Sequence, residues 1–195
     1  MSVTPIIAAL AMRLDQSTAK AIAELDKKQD WPRMLVLARA ELQREPGNSD
    51  WWFLQGYALA RQGQHTEAIA SYERAVRISP EDEGSWLSLA QSQIELGQPE
   101  RAIRTYRQVL RVRPESAHAY LGLAELYQKQ GQADLAISNY RESVRYDPDG
   151  VQAWSGLAAA YQKSGQRERL EEALQHLRKL DHAAADKFEK QYPSK

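Results

Sequence analysis

Few side chains in this 195-residue chain could carry chemistry. The chain has no cysteine, and its four histidines are His65, His118, His176 and His182. No pair of them has the i, i+4 spacing that places two metal ligands on one helical face. No glycine-rich phosphate-binding loop is present either. The sequence therefore predicts no catalytic residue, no metal site and no cofactor, and we expect the chain not to be an enzyme.

The charges are balanced, with 26 lysines and arginines against 26 aspartates and glutamates. Nucleic-acid binding needs a basic surface, so this balance argues against a nucleic-acid partner. No apolar run approaches the ~20 residues of a membrane-spanning helix. The apolar N-terminal stretch has no basic residue before it, which is atypical of a signal peptide. We expect a cytoplasmic location, with the periplasm as the alternative if an export signal has been removed.

Glycine and proline recur with a step of 34 residues. The glycines are Gly63, Gly97, Gly131 and Gly165, and the prolines are Pro46, Pro80, Pro114 and Pro148. A fixed step of this length is typical of a stacked helical repeat. Counting from Ser49 as position 1 gives units 49–82, 83–116, 117–150 and 151–184.

The columns of this alignment predict two antiparallel helices in each unit. Positions 4, 7, 8 and 11 form one stripe of the first helix, with a large ring at 4 and a small residue at 8. The glycine at position 15 ends that helix in a left-handed conformation. The proline at position 32 stops the second helix, because it lacks an N–H donor.

The first full unit, SDWWFLQGYALARQGQHTEAIASYERAVRISP, resembles a tetratricopeptide repeat. The residues that stand where that family's pattern expects them are Trp52, Gly56, Gly63, Ala68, Tyr72, Ala75 and Pro80. The resemblance implies an all-α fold, a right-handed α–α superhelix closed by a C-terminal capping helix. The four repeats cover residues 49–184.

The chain ends depart from the pattern. Residues 1–48 are predicted to form N-terminal helices that include a degenerate repeat, with Thr4 as an N-cap and Pro5 in the first turn. Residues 185–195 are predicted to form a capping helix and tail. There, Phe188 and Tyr192 would cover the last apolar face, as a terminal repeat requires.

In such a stack the first helix of each unit lines the concave side, and surplus apolar residues on it suggest a peptide-binding groove. Two mid-helix glycines, at a cost of ~1 kcal/mol each against alanine, would let a partner's backbone approach. The candidate groove residues are Phe53, Leu54, Tyr57, Leu87, Gln91, His118, Leu121, Gly122, Glu125 and Gly156. The alternative is that Leu87 and Leu121 pack partly on the neighbouring helix and that the two glycines arose by neutral drift and have no role in binding.

A basic column at position 29 has two interpretations as well. It reads Arg77, Arg111, Arg145 and Lys179. It could form a docking ridge on the convex side. It could equally serve the helix ends, where cations complement the macrodipole.

The favoured function is a protein–protein interaction scaffold that binds a peptide or helical segment of a partner in the groove. The plain units resemble those of bacterial tetratricopeptide proteins of assembly, secretion or envelope biogenesis. Relatives that clamp a chaperone's C-terminal carboxylate use lysine, asparagine and arginine where this chain has Phe53, Tyr57, Ser88, His118 and Gly122, so we do not expect that ligand. The alternatives are a self-assembling structural protein and, less favoured, an enzyme or cofactor binder. We expect a monomer or a weak homo-oligomer.

Overall fold

The computed structural model describes Ile7, Leu10 and residues 12–192, and this part of the chain contains eleven bounded helices and no strand. The helices are α1 (Gln16–Lys28), α2 (Trp31–Arg44), α3 (Ser49–Arg61), α4 (His65–Ile78), α5 (Glu83–Glu95), α6 (Pro99–Val112), α7 (Ala117–Lys129), α8 (Ala133–Tyr146), α9 (Val151–Ser164), α10 (Arg167–Leu180) and α11 (His182–Gln191). They fall into two compact units, Met1–Gln108 (unit 1) and Val109–Lys195 (unit 2). Thr4 and Pro5 lie outside the described residues.

The helix boundaries follow the glycine and proline ladders. All four ladder glycines have φ between +67° and +76°, the left-handed region in which glycine meets no steric penalty. Helices α4, α6 and α8 each end two residues before a ladder proline. Helix α10 has no such proline and ends at Leu180, where Asp181 accepts a hydrogen bond from the Ala184 N–H and starts α11.

The core of unit 1 is one continuous cluster of buried side chains contributed by α1 to α5. Ile22 of α1, Met34 of α2, Leu54 of α3 and Tyr72 of α4 lie within it. Ile7 and Leu10, which precede α1 and are themselves helical, belong to the same cluster.

Unit 2 ends in the predicted capping helix. Helix α11 contacts both α9 and α10, and the side chain of Phe188 is only 7% exposed. The ring of Tyr192 lies 4.8 Å from that of Phe188, measured between centroids. The helix begins at His182, a few residues before the predicted boundary, because Asp181 caps it.

The aromatic ring at position 4 was predicted to share one stripe with positions 7, 8 and 11, and it is only half-buried. The indoles of Trp52, Trp86 and Trp154 are half-buried, and each donates its N–H to a ladder-proline carbonyl six residues earlier, at 2.8–2.9 Å. Through this hydrogen bond the ring links the first helix of its repeat to the loop that precedes the helix. Positions 3, 8, 10 and 11 are buried in all four repeats instead.

Candidate binding surfaces

The first-helix face of unit 1, formed by α3 and α5, contains half of the predicted groove residues. Phe53, Leu54 and Tyr57 are 3%, 0% and 8% exposed. The prediction that these three side chains lie open on a groove floor is therefore wrong, because other parts of unit 1 cover them.

The contacts of Phe53 and Tyr57 show what covers this face. The Tyr57 hydroxyl donates to a carboxylate oxygen of Asp26 in α1 at 2.8 Å. Its ring meets the edge of Trp31 at 5.7 Å between centroids. The ring of Phe53 lies 5.8 Å from that of Tyr72. The degenerate repeat formed by α1 and α2 thus packs on Tyr57, which sequence periodicity assigned to the groove.

Three described residues near the N-terminus, Ile7, Leu10 and Arg13, also interact with this part of unit 1. Ile7 and Leu10 are 0% and 1% exposed and share the core cluster with Phe53, Leu54 and Tyr57. Three residues beyond Leu10, Arg13 pairs with Asp50 at 2.6 Å and with Asp82 at 3.3 Å. Asp50 stands in the first turn of α3 and Asp82 is the N-cap of α5. Arg13 therefore joins the N-terminal ends of two consecutive first helices.

Gly156 was predicted to form a shallow, backbone-accessible floor, and this is also wrong. A Cβ atom built on Gly156 would lie 2.3 Å from Cε1 of Tyr140, a residue of the preceding repeat. The Tyr140 hydroxyl donates to Gln128 at 2.6 Å, and burial, followed by the nearby Glu125 carboxylate, raises the pKa of this phenol. The ring is thus held against the glycine. Gly122 is buried, and half-buried Gly156 has the Tyr140 ring where a side chain would stand.

The remaining predicted groove residues stay accessible to different degrees. Leu87 of α5 and Leu121 of α7 are half-buried, which fits the alternative that they pack partly on a neighbouring helix. Gln91 of α5 and His118 of α7 are exposed. Glu125 of α7 is half-buried and accepts a hydrogen bond from the Gln152 side chain of α9 at 2.6 Å. Peptide binding by these residues stays a prediction.

A second surface lies in unit 2, where a cleft of about 470 Å³ opens between α8 and α10 with α9 as its floor. The floor carries Trp154, Leu157 and Tyr161. The imidazole of His176 in α10 stacks on the Trp154 indole at 4.5 Å with the planes only 5° apart. Sequence reasoning placed Arg145 and Lys179 of this wall in one basic column and missed the aromatic floor. The available sequence signal was the pair Trp154 and His176. They are 22 residues apart, so one lies on the first helix and the other on the second helix of the same repeat.

The walls of this cleft are mostly cationic. Arg141 and Arg145 of α8 and Arg169 and Lys179 of α10 line it, with Glu142 and Glu172 as the acidic members. Arg145 is already engaged, because its guanidinium bonds Glu142 and lies over the ring of Tyr146. Within residues 12–192, Arg141, Arg169 and Lys179 have no ion-pair partner.

The described residues offer little for chemistry. They contain no group of three or more histidine, aspartate or glutamate side chains placed to hold a metal ion. No helix among them has the length and apolar character needed to cross a membrane. The expectation that the chain is not an enzyme stays a prediction.

Helix pairs of constant length, left-handed glycines between them and a terminal capping helix define an all-α helical-repeat protein. Three family models match the sequence, two described as tetratricopeptide repeat over residues 35–83 and 93–138 and one as TPR repeat over residues 129–165. The chain is a tetratricopeptide repeat protein, as the sequence pattern of its first full unit indicated.

Solved structures share this fold. The crystal structure of MamA matches with a TM-score of 0.69 at 20% identity, covering 87% of this chain and 94% of that one. YrrB, titled a TPR protein with an unusual peptide-binding site, matches with a TM-score of 0.66 at 20% identity, covering 85% and 87%. A second MamA structure matches at 17% identity over 98% of both chains, with a TM-score of 0.69. No curated protein sequence matches the chain.

These findings confirm the predicted fold class, an all-α tetratricopeptide solenoid. The fold and its structural neighbours support a protein–protein interaction scaffold, and tetratricopeptide proteins in general bind protein or peptide partners.

Proposed function

We propose that this scaffold binds a short amphipathic helical segment of a partner protein on the first-helix face of unit 1. The observation that carries the proposal is the N-terminal segment, which supplies buried Ile7 and Leu10 and the ion-paired Arg13 to this face. The three residues are spaced three apart, as on one side of a helix. The face therefore accepts two apolar side chains followed by one cation.

Two interactions would stabilise such binding, burial of apolar side chains and an ion pair. Apolar side chains of the segment are desolvated against Phe53 and Leu54, at ~25 cal/mol per Å² of apolar area buried. The cation is placed between Asp50 and Asp82, which fixes the register of the segment along α3 and α5. A partner segment has to displace Ile7, Leu10 and Arg13 of the chain itself. YrrB, which shares the fold, is titled as a peptide-binding protein, and we extend that kind of ligand to this chain.

The test uses the chain's own segment as a defined probe. A fluorescein-labelled peptide of residues 3–15 is titrated against the full chain, and binding is followed by fluorescence anisotropy. Wild type is expected to bind it poorly, because a tethered copy acts at an effective concentration of about 1 mM. Replacing Ile7 and Leu10 by serine frees the face, and this variant is expected to bind at least tenfold more tightly.

Two controls make the result specific. Met12→Ser changes an 86% exposed side chain of the same segment and is expected to behave as wild type. Asp50→Lys, added to the freed variant, is expected to weaken binding again because it repels the probe's arginine. A freed variant that keeps its helical circular dichroism and yet fails to bind the probe at 1 mM contradicts the proposal.

A further inference from the structure

We infer that the cleft between α8 and α10 is a separate binding site for an acidic peptide segment that carries one aromatic or aliphatic side chain. This site lies wholly in unit 2, with the second helices α8 and α10 as its walls and α9 as its floor, so it does not depend on the proposal for the first-helix face of unit 1. Nothing in the repeat pattern alone requires it.

The floor of the cleft suits an apolar side chain. Leu157 and Tyr161 of α9 and Ala173 of α10 form its base, and the half-buried Trp154 forms one side. His176 lies flat on the Trp154 indole and so keeps that ring from rotating into the space. A volume of about 470 Å³ is within the range of ligand sites, ~300–1,000 Å³, and is large enough for a few side chains.

The rim of the cleft suits carboxylates. Arg141 projects from α8, and Arg169 and Lys179 from α10, so cations stand on both walls. None of the three has an ion-pair partner among the residues that the structure describes, and Arg169 donates one hydrogen bond, to the Gln166 side chain at 2.7 Å. A carboxylate brought between them gains charge-assisted hydrogen bonds that the free protein does not make.

Clefts also lie beside Trp52 and Trp86 in unit 1, but their linings differ from that of the cleft in unit 2. The surface beside Trp52 is lined by Arg39, Leu42, Gln43, Pro46, Trp52 and Gln55. Its cations are Arg39 and also Arg74, which lies over the Trp52 ring, and polar Gln55 occupies the repeat position that Leu157 takes in unit 2. Beside Trp86 the lining holds Arg101 and Arg104, but the other residues there, Gln93, Thr105 and Gln108, are polar. Among these three places, an apolar floor and a basic rim occur together only beside Trp154.

The balance of charge favours a peptide over a nucleic acid. The whole chain has as many acidic as basic residues, whereas binding along a phosphate backbone is favoured by an excess of cations. The cations instead surround one apolar space. An acidic segment with a phenylalanine or leucine satisfies both features at once.

The test measures binding of a defined probe, the fluorescein-labelled peptide Glu-Asp-Glu-Phe-Glu-Asp-Glu, to the full chain by anisotropy. Arg141→Glu combined with Lys179→Glu is expected to weaken binding at least tenfold. The matched control is Lys20→Glu combined with Lys27→Glu, which makes the same change in net charge on exposed side chains of unit 1 and is expected to leave binding within twofold. Replacing the probe's phenylalanine by serine is expected to weaken binding at least fivefold.

The other outcomes overturn the inference. No binding at 1 mM probe removes the site. Equal losses in the two charge-reversed variants show general electrostatic attraction and no site. A probe that binds equally well without its phenylalanine shows that the apolar floor has no role. Tighter binding of an eight-nucleotide single-stranded DNA, with the same dependence on Arg141 and Lys179, assigns the cleft to nucleic acid instead.

Discussion

The substitution Gly156→Ala tests the packing between consecutive repeats most directly. Gly156 lies in the interior of α9, where alanine is better than glycine by ~1 kcal/mol in helix propensity. From sequence alone the substitution is therefore expected to stabilise the chain. The structure predicts the opposite sign, because the added methyl group has no space.

The magnitude follows from the distances at this position. The new Cβ would lie 2.3, 2.5 and 2.8 Å from Cε1, Cζ and Oη of Tyr140, all shorter than real Cβ contacts. Tyr140 is 2% exposed and its hydroxyl is bound to Gln128, so the ring cannot simply turn away. Overpacking of this kind costs ~1–3 kcal/mol, and the rigid ring places the site at the upper end. After the gain in propensity, about 2 kcal/mol of stability is lost.

The assay is thermal unfolding followed by circular dichroism. For a chain of this size ~2 kcal/mol corresponds to a fall in Tm of about 4–8 °C. Ala159→Gly, a half-buried position of the same helix, measures the propensity effect by itself. Combining Gly156→Ala with Tyr140→Leu shortens the opposing side chain, so the double variant is expected to lose less than the two single losses added together. A Tm equal to or above that of wild type for Gly156→Ala refutes the reasoning, because the glycine would then face open space.

Three further predictions concern the core, the N-terminal segment and the cap. Phe53→Ala is expected to lower the free energy of unfolding by ~3–5 kcal/mol, more than Trp86→Ala, because Phe53 is buried and Trp86 is half-buried. Urea unfolding of both variants measures the two losses, and an equal or larger loss for Trp86→Ala would show that Phe53 is not part of the core. Arg13→Ala is expected to lower stability by about 1 kcal/mol or less in low salt and by less in 1 M salt, since its pair with Asp50 is partly exposed; a loss that is independent of salt would exclude an electrostatic role. Phe188→Ala is expected to lower Tm and increase light scattering, because it uncovers the apolar side of α10; a variant that stays monomeric with unchanged Tm would show that α10 needs no cap.

Much of the fold is local and could be predicted from the sequence. Helix ends were predictable because glycine in a left-handed conformation and proline without an N–H act on their own backbone. The repeat alignment therefore located α3 to α10, and the column of small residues at position 8 identified positions that are buried in every repeat. The assignment of Phe53, Leu54 and Tyr57 to an open groove was wrong, because the structure buries all three side chains.

What covers those residues was decided only by tertiary structure. Helical periodicity assigns a residue to a stripe, but it does not say which other element faces that stripe. Tyr57 is buried because Asp26 and Trp31 come from a repeat too degenerate for its packing to be read from the pattern. Gly156 is required because the ring of Tyr140, sixteen residues earlier, is fixed against it. Contacts of this kind depend on where separate helices meet in space, so the sequence determined the repeat and the tertiary structure decided which of its surfaces remain free.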